Sequence, residues 1–222
     1  MKKSENIFES LTVAVILSLS GGFMDAYSYV CRGQVFANAQ TGNILLFGVH
    51  LSTGDFISAL RYACPVTAFA AGIAAADILR HLLREKKNIH WHQMAVLTEA
   101  LILFAVAFIP QNFNLLANSL TSFACGIQVE SFRKVNGVGI ATTMCIGNLR
   151  TAVQSLCSYR FEKIPVLKEN SLLYFGIIAI FTLGAVIGNI CVEFLHEKAI
   201  IVSTVLLMSG YLIMHSNQRE KL

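Results

Sequence analysis

The stretch "FANAQTGNILLFG", residues 36–48, decides how the chain is organised. Four polar side chains, those of Asn38, Gln40, Thr41 and Asn43, interrupt a segment that is otherwise apolar enough to enter a lipid bilayer. Each polar group carried into hydrocarbon without a partner costs several kcal/mol. Either this segment stays outside the membrane, or its polar atoms serve a purpose inside it.

The composition indicates an all-α integral membrane protein with little room for a soluble domain. Of the 222 residues, 55% are hydrophobic and 14% are charged, whereas a soluble domain carries about 25% charged residues. The charged residues are clustered and leave apolar runs close to the roughly 20 residues that a membrane span requires. These runs are Leu11–Val30, Ile57–Leu79, Met94–Ile109, Leu115–Val129, Leu172–Leu195 and Ala199–Met214.

An internal repeat organises the chain. "GGFMDAYSYVCRGQVFANAQTGN" from Gly21 aligns without a gap with "GIQVESFRKVNGVGIATTMCIGN" from Gly126, 105 positions later. The alignment pairs Gly21 with Gly126, Asp25 with Glu130, and Asn43 with Asn148. A second, approximate match at a shift of 116 pairs Gly72 with Gly188. We therefore predict one membrane domain built from two repeats, residues 1–110 and 111–222.

The basic residues predict the topology, because loops rich in lysine and arginine stay in the cytoplasm. With Lys2 and Lys3 inside, the basic stretch "RHLLREKKNIH" at residues 80–90 is inside only if an even number of crossings precede it. Segment 34–52 therefore should not cross the membrane, and by the repeat neither should segment 137–158. Six crossings result, three in each half, so the second half is inverted and both termini are cytoplasmic.

The two segments that do not cross are predicted to be re-entrant. Each would descend as an extended strand, turn at Gly42 or Gly147, and return as a short helix. The helix starts would meet near the midplane and present unpaired N–H groups and positive dipole ends. Transporters and channels use such an arrangement to bind solutes.

A substrate site is predicted where the two helix starts meet. Its candidate residues are Asn38, Thr41, Gly42, Asn43, Thr143, Gly147, Asn148 and Arg150. The alternative is that the asparagines and threonines cap helices and satisfy re-entrant backbone. Because a cation opposes the dipole at a helix start, Arg150 needs a partner, which is either Glu99 or an anionic substrate.

Three carboxyl groups, those of Asp25, Glu130 and Glu99, are candidates for proton coupling, since a carboxylate within a membrane is a functional candidate by default. The alternative for Asp25 and Glu130 is that they bond re-entrant backbone or pair with Arg32 and Arg133. We find no metal-binding pattern, and the six cysteines read as small apolar core residues.

The sequence resembles the YoaK family of small bacterial membrane proteins. The shared pattern is a Gly-x-x-Asp-Ala start followed by Phe-x-x-Asn-x-Thr-Gly-Asn, which falls here on Gly22, Asp25, Ala26, Phe36, Asn38, Thr41, Gly42 and Asn43. A second Thr-Gly-Asn is expected in the later half, where Ile146 replaces the threonine. The resemblance implies a multi-span protein of the bacterial inner membrane and supplies no established substrate.

Together these features predict a transporter for a small anionic or polar solute, with proton coupling as an option. A passive channel of aquaporin-like architecture is one alternative, and a membrane enzyme or a non-transporting partner protein is another. No nucleophile–base pair argues for an enzyme, and neither a cofactor nor a nucleic-acid partner is expected. The lipid bilayer and the solute are the expected partners, and a symmetric homodimer is the default oligomer.

Overall fold

The computed structural model of the chain describes residues 7–83 and 90–219. The basic residues at positions 2, 3, 84, 86 and 87, on which the predicted orientation depends, lie outside these ranges. The described residues form eight helices: α1 (Leu11–Cys31), α2 (Gln40–Ser52), α3 (Phe56–Leu83), α4 (Trp91–Val106), α5 (Asn114–Ser131), α6 (Cys145–Glu162), α7 (Pro165–Leu195) and α8 (Ile200–Arg219). An antiparallel hairpin of β1 (Lys134–Val135) and β2 (Val138–Gly139) joins α5 to α6.

The composition of the helices makes this an all-α membrane protein. Three described stretches are long and apolar enough to cross a bilayer: Leu11–Cys31, Phe56–Leu83 and Pro165–Asn217, the last containing both α7 and α8. α4 is apolar but shorter, with 16 residues. The outward faces carry large apolar side chains, such as Ile57 on α3 and Phe194 on α7, which are 81% and 76% exposed. Such faces suit a lipid environment.

α1 and α7 cross with their backbones in contact. A methyl group on Gly22 would overlap the carbonyl oxygen of Phe181, and one on Gly184 would overlap the carbonyl oxygen of Leu19. Each glycine therefore faces the carbonyl group three residues before the other glycine. Only a residue without a side chain lets two helix backbones come this close.

α3 and α5 repeat the same crossing. A methyl group on Gly72 would overlap the carbonyl oxygen of Phe123, and one on Gly126 would overlap the carbonyl oxygen of Phe69. Here too each glycine faces the carbonyl group three residues before its partner. The two crossings thus make Gly22 equivalent to Gly126 and Gly184 equivalent to Gly72.

This packing corrects the predicted alignment of the repeats. Gly126 was paired with Gly21, but the backbone contact selects Gly22, so the register within α1 and α5 is shifted by one residue. Gly72 was paired with Gly188, but the matching contact selects Gly184, four residues earlier. Asp25 then corresponds to Val129 and not to Glu130. One residue turns the side chain about 100° around a helix, so the two carboxylates leave their helices in different directions. Sequence identity could not choose between adjacent glycines, whereas the backbone contact does.

The two predicted halves interlock. α1 packs chiefly on α7, which lies in the other half, and α5 packs chiefly on α3. α2 lies on α3 as α6 lies on α7, while α4 and α8 contact each other and flank α5 and α1 respectively. If each of α1–α4 is replaced by the helix four places later, and each of α5–α8 by the helix four places earlier, the same set of contacts results.

Helices α2 and α6 begin differently from the prediction, and α6, with 18 residues, is not the short helix that was predicted. Residues 34–39 contain no strand, and Gly42 and Gly147 are each the third residue of a helix, so the chain turns before them. A methyl group on Gly42 would lie 2.7 Å from the ring of Phe36, whereas one on Gly147 would meet no atom within 4 Å. Gly42 therefore makes room for an aromatic ring, and neither glycine forms the turn.

Candidate functional site

Two asparagines hold the loops that lead into α2 and α6. Asn43 Nδ2 donates to the carbonyl oxygen of Phe36 at 2.8 Å, and the Phe36 N–H donates back to Asn43 Oδ1 at 3.0 Å. Asn148 Nδ2 donates to the carbonyl oxygen of Ala141 at 2.6 Å. Both asparagines are buried and reach seven residues back. Their amides therefore satisfy backbone, which is the alternative to substrate binding weighed above.

Asp25 supports the first of these loops from α1. Its Oδ1 accepts a hydrogen bond from the Asn38 N–H at 2.7 Å, and the N–H groups of Ala37 and Ala39 also bond this carboxylate. Asp25 is 8% exposed. A buried carboxylate with several N–H donors is well compensated, so Asp25 holds the backbone of the loop before α2 whatever else it does.

The two loops meet on α1 at Gly21. Asn38 Nδ2 donates to the Gly21 carbonyl oxygen at 3.2 Å. A methyl group on Gly21 would overlap the Thr143 side chain, which belongs to the loop before α6. Gly21 thus contacts a side chain from the loop before α2 and a side chain from the loop before α6.

α5 completes the surroundings of this meeting point. Gln128 is fully buried, and its Nε2 donates to Thr142 Oγ1 at 3.1 Å and to the Leu17 carbonyl oxygen at 3.3 Å. Cys125 lies beside the Asn38 side chain. We call Asp25, Asn38, Gln128, Thr142 and Thr143 the central polar cluster. The cluster lies between α1 and α5, and each of these two helices takes part in one of the glycine crossings.

The central polar cluster offers unused hydrogen-bond acceptors. Asn38 Oδ1, Gln128 Oε1 and Thr143 Oγ1 are buried and have no hydrogen-bond partner among the described residues. An unsatisfied buried polar atom costs about 1–3 kcal/mol. These oxygens are therefore available to a ligand that donates hydrogen bonds.

Glu99 on α4 is a second source of acceptors near the cluster. It is 0% exposed, and neither carboxyl oxygen has a hydrogen-bond partner within the described ranges. Glu99 and Asp25 both lie close enough to Cys125 to act on its sulfur electrostatically. Two carboxyl groups thus approach the cluster from different helices.

Arg150 does not pair with Glu99. It is exposed on the outer face of α6 and makes no ion pair with any residue that the structure describes. Thr41 and Gly147 are also exposed. The predicted substrate set therefore divides: Asn38 and Thr143 belong to the cluster, Asn43 and Asn148 anchor its loops, Gly42 packs on Phe36, and Thr41, Gly147 and Arg150 face outward.

Glu130 lies apart from the central polar cluster. Its Oε1 is 3.6 Å from Arg80 Nη1 and 3.5 Å from Arg133 Nη2. The pairing with Arg133 is the alternative that the sequence left open for this residue, and Arg80 is an additional partner. The Glu130 side chain is 14% exposed and has two structural partners at the end of α5, while its role in proton coupling stays a prediction.

The sequence offered Arg32 as an alternative partner for Asp25, but the two form no ion pair in the structure that the described residues make. Arg32 is 0% exposed. Its guanidinium donates to Tyr27 Oη at 2.7 Å, Asn114 Oδ1 at 3.1 Å and the Val106 carbonyl oxygen at 3.1 Å. The available signal in the sequence was Tyr27, five residues before Arg32, whose hydroxyl group accepts a hydrogen bond from the guanidinium. Arg32 ties the end of α1 to α4 and α5.

The sequence of the chain is similar to known proteins over most of its length. The profile described as "Protein of unknown function (DUF1275)" matches residues 13–213. The UPF0700 transmembrane protein YoaK of Bacillus subtilis (strain 168) is 26% identical over 189 residues, which are 79% of this chain and 81% of that protein. No solved structure matches. The resemblance to YoaK is confirmed, and since the matched region runs from α1 into α8, the chain belongs to the DUF1275 family of proteins of unknown function.

Proposed function

We propose that this membrane protein transports a small polar solute that binds at the central polar cluster. The observation that carries the proposal is the position of the cluster between two tightly joined helix pairs. Gly22 and Gly184 lock α1 to α7, and Gly72 and Gly126 lock α3 to α5, while α1 and α5 contact each other little. A movement of one pair against the other would open the cluster alternately to each side.

The unused atoms of the cluster favour a solute that donates hydrogen bonds. Asn38 Oδ1 and Gln128 Oε1 accept, and Thr143 Oγ1 can do either, while the unpaired Glu99 carboxyl group adds acceptors from outside the cluster. An amine, an amide or a cation complements such a set. An anion was favoured by Arg150 alone, and that residue faces away from the cluster. The anionic solute is therefore the less favoured form of the proposal.

The proposed architecture has six crossings in two inverted repeats. α1, α3, α4, α5, α7 and α8 would cross the membrane, while α2 and α6 would be re-entrant. The matching glycine crossings and the matching loop anchors at Asn43 and Asn148 support the repeat. In the proposed orientation both termini lie in the bacterial cytoplasm, and the role is transport and not catalysis.

Ligand-induced thermal stabilisation of the detergent-purified protein tests the binding site. The panel contains amines, amides, carboxylates and inorganic anions. A ligand at 100 times its dissociation constant adds about 2.7 kcal/mol to the free energy of unfolding. Thr143→Val and Glu99→Gln alter unpaired buried groups without removing a hydrogen bond that those groups make to the described residues, so both variants should fold. We expect a donor-rich solute to stabilise the wild type and to lose at least tenfold in affinity in both variants.

Thr41→Val is the matched control, because Thr41 is exposed and lies outside the cluster. It should retain the stabilisation in full. Equal stabilisation of Thr143→Val, Glu99→Gln and wild type would refute binding at the cluster. Stabilisation by anions that Arg150→Gln abolishes would instead locate the site on α6. Flux of the identified solute in proteoliposomes separates a carrier, which saturates and exchanges, from a channel.

A single cysteine at Ser52 tests the re-entrant topology. Ser52 is the exposed last residue of α2, and the background replaces the six native cysteines. An impermeant thiol reagent added to intact cells should label this cysteine, because α2 would return to the outer side. Labelling from the cytoplasmic side alone contradicts the topology.

A further inference from the structure

Two cavities adjoin where α5 ends and α4 begins. The first has a volume of about 200 Å³ and is lined by polar and aromatic side chains that include Glu9, Trp91, His92, Ser131, Arg133 and Lys134. The second has a volume of about 250 Å³ and is lined almost entirely by apolar side chains that include Ala75, Leu79, Trp91, Phe123, Ile127 and Ser131. Trp91 and Ser131 border both. A polar cavity and an apolar cavity therefore lie side by side, with Trp91 and Ser131 at their common border.

The apolar cavity is a groove between helices. α3 and α4 both pack on α5 but contact each other little, so a cleft remains between them over Phe123 and Ile127. Small side chains, those of Ala75, Ala76 and Ala95, keep this cleft open. In a membrane protein such a groove takes up a hydrocarbon chain, because lipid tails are as apolar as the residues that line it.

The polar cavity is suited to an anion. The Arg133 side chain is 55% exposed and Lys134 is exposed, so both cations can reach a bound group. Glu9 contributes one negative charge to the lining, and Arg133 shares the carboxylate of Glu130 with Arg80. Lys134 makes no ion pair with a described residue, so the lining keeps an excess of positive charge. Ser131 is 4% exposed, and its Oγ is buried with no partner among the described residues. That hydroxyl is an unused hydrogen-bond donor at the boundary of the two cavities.

We propose that this double cavity binds an anionic phospholipid. The phosphate lies against Arg133, Lys134 and Ser131, and one acyl chain lies in the groove between α3 and α4. Trp91 stands between the two parts, at the headgroup level that tryptophan favours. Basic side chains at this level attract anionic lipids. No residue of the central polar cluster lines either cavity, so the lipid site is separate from the proposed solute site.

Native mass spectrometry of the full-length protein in detergent tests the proposal. The probes are phosphatidylglycerol, zwitterionic phosphatidylcholine with the same acyl chains, and glycerol phosphate without a chain. We expect the wild type to prefer phosphatidylglycerol over phosphatidylcholine. Arg133→Gln with Lys134→Gln should lower the affinity for phosphatidylglycerol about tenfold or more, because each basic side chain near the headgroup contributes about fivefold.

Ala75→Phe tests the groove independently of charge. Ala75 is half-buried in the cleft, and a phenyl ring there should exclude the acyl chain and weaken phosphatidylglycerol binding about tenfold or more. The matched charge control is Arg160→Gln with Lys168→Gln, which removes two exposed cations that line neither cavity. This control should bind like the wild type.

Three results overturn the lipid site. The first is equal affinity of the wild type for phosphatidylglycerol and phosphatidylcholine. The second is an equal loss in the Arg133/Lys134 double variant and its control, which indicates unspecific attraction. The third is competition by glycerol phosphate at the concentration of the lipid, which indicates a site for a free phosphate. Retained solute stabilisation in the Arg133/Lys134 variant shows that the two proposed sites are independent.

Discussion

Arg32 is a cation that the fold buries completely and surrounds with neutral partners. Among the described residues it has no carboxylate within ion-pair distance, and its guanidinium donates to a phenol, an amide and the last carbonyl group of α4. The carbonyl end of a helix carries a partial negative charge, which stabilises a cation there. Tyr27 in turn donates to the Glu197 carbonyl oxygen at 3.0 Å. One side chain thus connects α1 with α4, α5 and the turn before α8.

Replacing this side chain should destabilise the protein strongly. Arg32→Met removes the three donors, leaves the partly buried Asn114 Oδ1 without this partner, and takes one of two hydrogen bonds from the Val106 carbonyl oxygen, which still accepts from the Ile109 N–H. We expect a loss of about 2–4 kcal/mol in the free energy of unfolding, measured by denaturant unfolding in detergent. Arg61→Gln is the control, because Arg61 is exposed and should change stability by less than about 0.5 kcal/mol. Similar values for both variants contradict the structural role of Arg32.

Asp25 allows a graded test, because asparagine keeps one acceptor oxygen and alanine keeps none. Asp25→Ala leaves the Asn38 N–H without its partner at 2.7 Å and should cost about 1–3 kcal/mol. Asp25→Asn should cost less, since Oδ1 still accepts that hydrogen bond. Thermal unfolding of the two variants side by side measures the difference. An asparagine variant as unstable as the alanine variant indicates that the negative charge, and not the hydrogen bond, holds the loop.

Among the elements, the glycines of the helices fall into two groups that sequence alone does not separate. Gly22 and Gly126 touch the backbone of a crossing helix, whereas Gly147 and Gly48 have open space where a side chain would lie. Alanine at the first two positions must push α1 from α7, or α5 from α3. At the last two positions alanine meets nothing and improves helix propensity.

Gly22→Ala and Gly126→Ala should each lower the free energy of unfolding by about 1–3 kcal/mol or more, because the added methyl group overlaps a carbonyl oxygen. Gly147→Ala should leave stability unchanged or raise it by up to about 1 kcal/mol. Unfolding in detergent measures all three variants. If Gly147→Ala proves as harmful as Gly22→Ala, then the third residue of α6 is packed against something in the native membrane, such as a second copy of the chain.

At the scale of the helices, the sequence could predict the bounds of the elements but not the contacts between them. Hydropathy located the long helices to within a few residues at most ends, because the bilayer demands continuous apolar runs. It missed the first turns of α7, since Lys168 and Glu169 lie there. The repeat placed Asn43 and Asn148 in matching roles, because both close a loop seven residues back. The register of Gly22, the burial of Arg32 and the outward direction of Arg150 depend on contacts between distant segments, which no local pattern contains.

For the whole molecule, the exchange of helices between the halves predicts how the protein can be divided. α1 packs on α7 and α5 packs on α3, so each fragment lacks the partner of its tightest crossing. Residues 1–110 or 111–222 expressed alone should not give a stable membrane protein. Expressed together, the two fragments should associate and co-purify through an affinity tag placed on one of them.

A second version of this experiment uses fragments that carry Gly22→Ala and Gly126→Ala, and Gly147→Ala is its matched control. These substitutions damage both crossings and should reduce the recovered complex severalfold, while Gly147→Ala should not. Fragments that are each stable and monodisperse alone would contradict the interlocked arrangement. Association that is insensitive to the glycine substitutions would place the contact between halves elsewhere, such as between α4 and α8.

The same α1–α7 crossing has a consequence for biosynthesis. The ribosome completes α1 at Cys31 and α7 at Leu195, and at about 5–20 residues per second the second event follows the first by roughly ten to thirty seconds. During that interval the nascent α1 exposes Ser18, Ser20 and Asp25, which are buried in the finished protein. We therefore expect nascent α1 to stay bound to the insertion machinery or to a membrane chaperone until α7 has been translated.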